Sequence, residues 1–388
     1  MQTWPRSAAS GIYEDRMQLL ERGCSYLNSA AYNIVKDKPS DFMRKHRYFD
    51  MVIFLLQSQS TMYCAIPKVA TKTLLTVMHY VHYRDVSNHI NTNWINVDIY
   101  RARIEQHANI SVLVNEVRQI GIEISKTKEP LSLASFIQMY LDLLQYGRID
   151  DVSPVKPVNP WRVGPEHMFP YLVLKSLSNF SDVFSPSYTR FLFVRHPFER
   201  LASAYKERIA TLEKDRVWPE HTYDNLRKQI CVRHLRRGSH KILLMRKQCE
   251  EVIPSFEQFL RYILINTNTP DGISRMDFHW QPYSTICQVC KLKYNFIGKY
   301  ETFDEDVKYL LKRFNLSDWN FGKQRNNESS YSTWKYQQMY SSLPNDLICQ
   351  LKYLYAGDFY LFNYRFEDYI NRPKLVCTLN SKIKNPDW

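Results

Sequence analysis

Apolar positions along this chain change period, and the changes mark out its elements. Two short runs are dense in β-formers and short enough for buried strands: Thr61-Met62-Tyr63-Cys64-Ala65-Ile66 and Phe191-Leu192-Phe193-Val194. Pro67 lacks a ladder donor and should end the first. The second, apolar throughout, reads as a central parallel strand. Beyond the first run, Leu74, Leu75, Met78, Val81 and His82 recur at helical spacing, the stripe of an amphipathic helix. Beyond the second, Phe198, Leu201, Ala202, Tyr205 and Ile209 do the same, with Pro197 placed for a first helical turn. Strand, turn and helix therefore occur twice in the same order.

The remaining pattern is simpler. Tyr13 to Leu27 has helix-like spacing within a charged lead-in, and Met51 to Leu56 is an apolar run read as a strand. A helix is expected near Leu131–Tyr146, followed by a proline-rich loop over Ser153–Pro160. Ser255 with Gln258 three residues on resembles a capping box, and Asp304, Glu305 and Asp306 suit the first turn of a helix. With no repeat and no linker-like stretch, the expectation is one domain over 49–388 preceded by a helical lead-in, or stem remnant, over 1–48.

The two turns carry the chemistry. Residues Lys68, Val69, Ala70, Thr71, Lys72 and Thr73 lie where a strand gives way to a helix. There, unpaired backbone N–H groups and the positive end of the helix dipole attract anions. Lys68 and Lys72 add charge, and the Thr71 and Thr73 hydroxyls can donate to phosphate oxygens. The glycines and the Gly-Lys-Ser/Thr ending of a Walker loop are missing, which counts against nucleoside triphosphate hydrolysis and a nucleotide kinase. Alone, Pro67-Lys68 equally describes a strand-end lysine pointing into water. Arg195 follows the second strand at its carboxyl end, where ligands bind in open α/β sheets, and Ser203 lies off the buried stripe. A guanidinium offers phosphate paired donors, and a serine hydroxyl adds a third contact. The competing reading is a surface ion bridge from Arg195 to Glu199 or Asp182. Two phosphate-holding turns suit a nucleoside with phosphate at both ends, 3′-phosphoadenosine-5′-phosphosulfate.

Four blocks in order carry a family resemblance. They are Tyr63-Cys64-Ala65-Ile66-Pro67-Lys68-Val69-Ala70; Phe191 to Tyr205; Asp277-Phe278-His279-Trp280-Gln281-Pro282 through Cys287 and Cys290 to Thr302; and Leu343-Pro344 with Tyr355, Asp358-Phe359 and Phe362-Asn363-Tyr364. From about Asp50 to Tyr364, with a weaker echo at Arg22 and Cys24, the chain resembles the Golgi carbohydrate sulfotransferases of the HNK-1, chondroitin and dermatan 4-O-sulfotransferase group. The resemblance implies the sulfotransferase fold, a P-loop-like α/β architecture with a central parallel sheet flanked by helices. It implies that Lys68, Thr71 and Thr73 hold the 5′-phosphosulfate and that Arg195 and Ser203 hold the 3′-phosphate. It also implies a type II membrane protein of the Golgi lumen. This chain departs from the pattern after Ala70, reading Thr71-Lys72-Thr73-Leu74-Leu75 where the family has Cys-Thr-Asn-Trp-Lys. Leu75 thus stands in the place of a lysine.

Sulfuryl transfer to a hydroxyl needs in-line attack, removal of a proton and stabilisation of charge on the departing phosphate. Lys68 is the candidate for meeting that charge. His279, two residues after Asp277, and His167, beside Glu166, are the candidate bases, each also readable as a structural histidine. His196 is too close to the phosphate turn for that role. No metal is called for, because Cys287-x-x-Cys290 lacks a second pair to complete four ligands; disulfides explain these cysteines better.

Charge and cysteine content set the surroundings. Lys and Arg outnumber Asp and Glu by 52 to 39, a net +13 that raises the odds of a polyanionic partner. The densest basic segment, Arg233 to Lys241 with Arg246 and Lys247, suits a glycosaminoglycan lying in an acceptor groove, or is a solvated loop. A glycan acceptor, with no nucleic acid, is the expected partner. Eight cysteines and four Asn-x-Ser sequons, at Asn109, Asn179, Asn315 and Asn327, lean toward a luminal setting. No stretch reaches the ~18–20 apolar residues of a membrane span. Met1 to Ser10 is no signal peptide, so any anchor is expected in a start that this sequence lacks. The leading expectation is sulfate transfer to a galactosamine hydroxyl of chondroitin- or dermatan-type chains. Its alternatives are a heparan or uronyl 2-O-sulfotransferase and a non-catalytic glycan- or polyanion-binding protein on a degenerate sulfotransferase fold.

Overall fold

Among the described residues, buried β-forming runs pair into one four-stranded sheet, β1 (Ile53–Leu56), β2 (Thr61–Cys64), β3 (Thr189–Val194) and β4 (Phe296–Lys299), in that spatial order. The structure is a computed structural model and describes residues 8–27, 49–56, 59–91, 141, 144–145, 180–212, 221–235, 247–269, 271–317, 319, 336–372 and 375–378. β2, β3 and β4 run parallel, with Cys64 opposite Leu192 and Val194 opposite Lys299. β1 adds an antiparallel edge, with Ile53 opposite Cys64. Every residue of the first three strands is buried, as expected of a sheet covered on both faces. The architecture is therefore α/β, with a mixed sheet whose central strands are parallel.

The two strand–turn–helix units form as their periodicity implies. β2 leads through Pro67–Ala70 into α2 (Thr71–Asn91), whose Leu74, Leu75, Met78 and Val81 are buried. β3 leads through Arg195-His196 into α3 (Pro197–Arg208), with Pro197 in its first turn and Phe198, Leu201 and Ala202 buried. Because β2, β3 and β4 are parallel, the turns that leave them open at one end of the sheet. The run from Met51 divides: Phe49–Val52 is a single helical turn, and only Ile53–Leu56 is strand. The expected helix at Leu131–Tyr146, the loop at Ser153–Pro160, and His167 lie largely or wholly outside the described residues.

Helices close the faces. α1 (Ala8–Tyr26) is tied to the sheet by Arg16, which reaches Asp306 at 2.7 Å and the Ile297 carbonyl at 2.9 Å, and by a disulfide from Cys24 to Cys290. α4 (His221–Leu235) carries Arg233 and His234 in its last turn, so that part of the basic segment is helix and not loop. α5 (Phe256–Thr267) begins with the expected capping box, Ser255 and Gln258 each bonding the other's backbone N–H. α6 (Phe303–Arg313) opens with three acids, as the helix dipole favours. α7 (Asn345–Leu354) and α8 (Ala356–Leu361) complete a second apolar cluster around Phe198, Trp280 and Tyr340. All eight cysteines are bonded, as Cys24–Cys290, Cys64–Cys287, Cys231–Cys249 and Cys349–Cys377. No helix among the described residues is long and apolar enough to cross a membrane.

Gly298 is where the sheet admits no side chain. It pairs with Phe193 across β3–β4, and the Phe193 ring lies over it, so a Cβ there would meet ring carbons at 2.3–2.5 Å. Gly298→Ala should force the ring from its place and cost about 1–3 kcal/mol. A denaturation midpoint equal to wild type would contradict this packing.

Candidate active site

The turn after β2 has an unusual backbone for non-glycine residues: φ is +74° at Lys68 and +60° at Ala70. Left-handed conformation at such residues costs of order 1–3 kcal/mol and persists only where the surroundings enforce it. Alternation of this kind turns successive N–H groups to one side, the arrangement of an anion-holding nest at a helix start. Val69, between them, is fully buried and anchors the turn from below. The buried Thr71 hydroxyl donates to the Ile66 carbonyl and not outward as its sequence position suggested, so Thr71 can offer an anion only its backbone N–H. Lys72 and Thr73 are half-buried on the first turn of α2. Leu75 is fully buried in the core.

Arg195, on the neighbouring strand end, is 5% exposed, which excludes a surface bridge. Its guanidinium pairs with Glu199 at 2.5 Å, donates to the Lys68 carbonyl at 3.3 Å, and lies 4.2 Å from the centre of the Tyr300 ring. Its Nε is buried with no hydrogen-bond partner among the described residues. Burial disfavours the charge, but Glu199 outweighs burial and the Arg195 pKa is raised. The Lys68 ammonium pairs in turn with Glu207. Glu199, Ser203 and Glu207 follow one another at four-residue spacing on α3, hence along one face. The half-buried Ser203 thus lies between the two carboxylates that hold the two expected phosphate cations.

His279 is buried beside this face. Its Nδ1 is 2.7 Å from Asp277 Oδ1, and its backbone N–H donates to the same oxygen at 2.9 Å. Burial lowers the His279 pKa to about 4 against the pull of Asp277, and the charges of Arg208 and Lys68 lower it further. The hydrogen bond and charge of His279 overcome burial at Asp277, whose pKa is lowered. His196 caps α3: its Nδ1 accepts the Phe198 N–H at 3.3 Å while Nε2 meets the Arg365 carbonyl at 3.1 Å. Both ring nitrogens are engaged in structure, which agrees with setting it aside as a base.

Arg200 was not legible from the sequence. It is 2% exposed and donates to the carbonyls of Pro67 (3.3 Å), Gln281 (2.7 Å) and Phe278 (2.8 Å). It thereby joins α3 to both the Lys68 turn and the His279 segment. Tyr283 is a second unread tie, its hydroxyl accepting the Arg195 N–H at 3.1 Å and donating to the Arg195 carbonyl at 3.0 Å. The C-terminal block supports the same segment. Asp358 accepts the N–H groups of Tyr283 and Ser284, the Tyr355 hydroxyl reaches the Trp280 carbonyl, and Tyr364 reaches Glu301. Burial raises the Asp358 pKa to about 6.

Among curated proteins, 180 residues of the chain are 32% identical to carbohydrate sulfotransferase 12 of Xenopus laevis, covering 46% of this chain and 40% of that one. Over 186 residues it is 30% identical to carbohydrate sulfotransferase 10 of Danio rerio, covering 46% and 47%. Over 188 residues it is 29% identical to carbohydrate sulfotransferase 11 of Rattus norvegicus, covering 47% and 49%. The chain thus spans less than half the length of these relatives. No solved structure matches it significantly. The family model described as the sulfotransferase family matches residues 53–365, from β1 through the Glu301–Tyr364 contact, and by that match this chain belongs to the sulfotransferase family.

Proposed function

We propose that this protein transfers the sulfuryl group of 3′-phosphoadenosine-5′-phosphosulfate to a glycan hydroxyl, with the galactosamine of chondroitin- or dermatan-type chains as acceptor. The observation that carries this reading is the meeting of the Lys68 turn and Arg195 at adjacent parallel strand ends, with Arg200 tying that turn to the segment of His279. Lys68, the backbone of Val69, Ala70 and Thr71, and Lys72 and Thr73 take the 5′-phosphosulfate, while Arg195 and Ser203 take the 3′-phosphate. The acceptor oxygen attacks sulfur, the bond from sulfur to the bridging oxygen breaks, and Lys68 meets the charge left on the phosphate. His279 Nε2 takes the hydroxyl proton, leaving Nδ1 on Asp277. The Asp277 carboxylate 2.7 Å from Nδ1 supports His279 in this role; His167, the other candidate, lies outside the described residues. Four disulfides suit an oxidising lumen, which supports a Golgi setting.

Donor binding tests the reading directly. Titration with 3′-phosphoadenosine-5′-phosphate should raise the melting temperature saturably, because a ligand of the folded state adds stability by mass action. Arg195→Ala alone would break a buried ion pair from one side, a loss of about 3–5 kcal/mol. The informative variant is therefore Arg195→Ala with Glu199→Gln, which should melt cooperatively yet show no shift. A wild-type protein that melts cooperatively without any shift would leave the polyanion-binding reading instead.

The pH dependence follows from His279. The neutral imidazole is the active form and its pKa is lowered to about 4, so kcat/KM should hold across the ordinary histidine range and fall only near pH 4. Because an anionic donor offsets the Lys68 and Arg208 charges, the acid limb of kcat should lie higher than that of kcat/KM. Stability has the same sign: with His196 and His279 both lowered to about 4, the unfolded chain binds more protons between there and about 6.5. Their contribution is thus lost as pH falls through that window, and circular dichroism must accompany the rate profile. An acid limb of kcat/KM centred near 6.5 in folded protein would remove His279 from the mechanism.

A further inference from the structure

Tyr223 lies on α4, 56 residues from His279 in sequence, yet its hydroxyl is 2.9 Å from His279 Nδ1 and 3.1 Å from Asp277 Oδ2. It is 4% exposed, in edge-on contact with the imidazole. The hydrogens of this cluster follow from the distances together with an ionised Asp277, whose pKa its hydrogen bonds hold down. Were the lone pair at Nδ1, it would face Asp277 Oδ1 at 2.7 Å with no proton between them. Nδ1 therefore carries hydrogen and donates to Oδ1. Tyr223 then finds no acceptor at Nδ1 and gives its proton to Oδ2. The lone pair is left on Nε2.

We infer that Tyr223 is a positioning residue for proton transfer, holding Asp277 by its second oxygen so that His279 keeps its basic nitrogen at Nε2. This rests on the reading of His279 as the base. In the step itself the acceptor O–S bond forms, the bond from sulfur to the bridging oxygen breaks with its electron pair passing to the phosphate, and the hydroxyl proton goes to Nε2. The resulting imidazolium still donates from Nδ1 to Asp277, and no proton passes to Asp277 or Tyr223.

Among the described residues, the charged and titratable groups that act on the imidazole are Asp277 on its own segment, Tyr223 on α4, Arg208 on α3 and Lys68 on the turn after β2. Arg208 also lies over the Tyr223 ring at 5.3 Å from its centre. Deleting the Tyr223 hydroxyl leaves Oδ2 more of its negative charge to offer the imidazole, which favours the imidazolium. A ring that only filled space would lower stability on removal and leave the His279 titration in place.

The test is an NMR titration of protein labelled with nitrogen-15 in histidine, with His279→Gln to assign the signal. Wild type should show the Nδ1–H tautomer. Tyr223→Phe should raise the His279 midpoint by about one to two pH units, the equivalent of one hydrogen bond to a charged group. It should also lower kcat in sulfuryl transfer more than it changes KM. Should Tyr223→Phe fail to fold, 3-fluorotyrosine incorporation keeps every ring and strengthens the hydroxyl as a donor, moving the midpoint down. An unmoved midpoint in folded Tyr223→Phe, or in the fluorinated protein, overturns the inference while leaving the base reading intact. A folded His279→Gln protein that still transfers sulfate overturns the base reading, and the role of Tyr223 with it.

Discussion

Three backbone carbonyls hold the Arg200 guanidinium, and the active end of the sheet depends on them. A buried cation is costly unless its donors are satisfied. Here they are satisfied by segments remote in sequence, the Pro67 turn and the Phe278–Gln281 stretch. The face of the guanidinium is covered by the Tyr283 ring at 4.6 Å. One charge therefore sets the mutual placement of the Lys68 turn, the His279 segment and α3. Sheet register alone would align the strand ends without fixing the loops above them.

Those loops bring like charges together, and α3 compensates. Lys68 and Arg195 stand on adjacent turns, and each meets a glutamate of the same helical face, Glu207 and Glu199. Incoming phosphates would take over some of that pairing. The carboxylates thus keep the cations oriented, and their presence lowers the net attraction for anions. How tightly an anion is held becomes a difference between two pairings.

What could be read from the sequence was local. The strand, turn and helix around Lys68 and Arg195, the Ser255 cap and the acidic start of α6 all depend on neighbours within a few residues. They appear in the fold where the pattern put them. The partners of Arg200 and Tyr223 are 54 to 133 residues away, and no periodicity carries such information. The competing reading of Arg195 as a surface bridge failed for a related reason: Glu199 was the right partner, but burial comes from packing across the sheet end. Cysteine pairing was equally closed to inspection, since eight cysteines allow 105 connectivities. Cys287 and Cys290 in fact reach back to Cys64 and Cys24.

That pairing has a consequence for the order of biosynthesis. Cys24 and Cys64 leave the ribosome 266 and 223 residues before the thiols they will bond. Until then both are open to wrong partners, each other and Cys231 included. Neither α1 nor the strand that leads into the Lys68 turn can be locked covalently before most of the chain exists. Maturation of the site thus waits on late-made thiols at its two longest covalent links, and depends on a compartment that can both form and reshuffle disulfides.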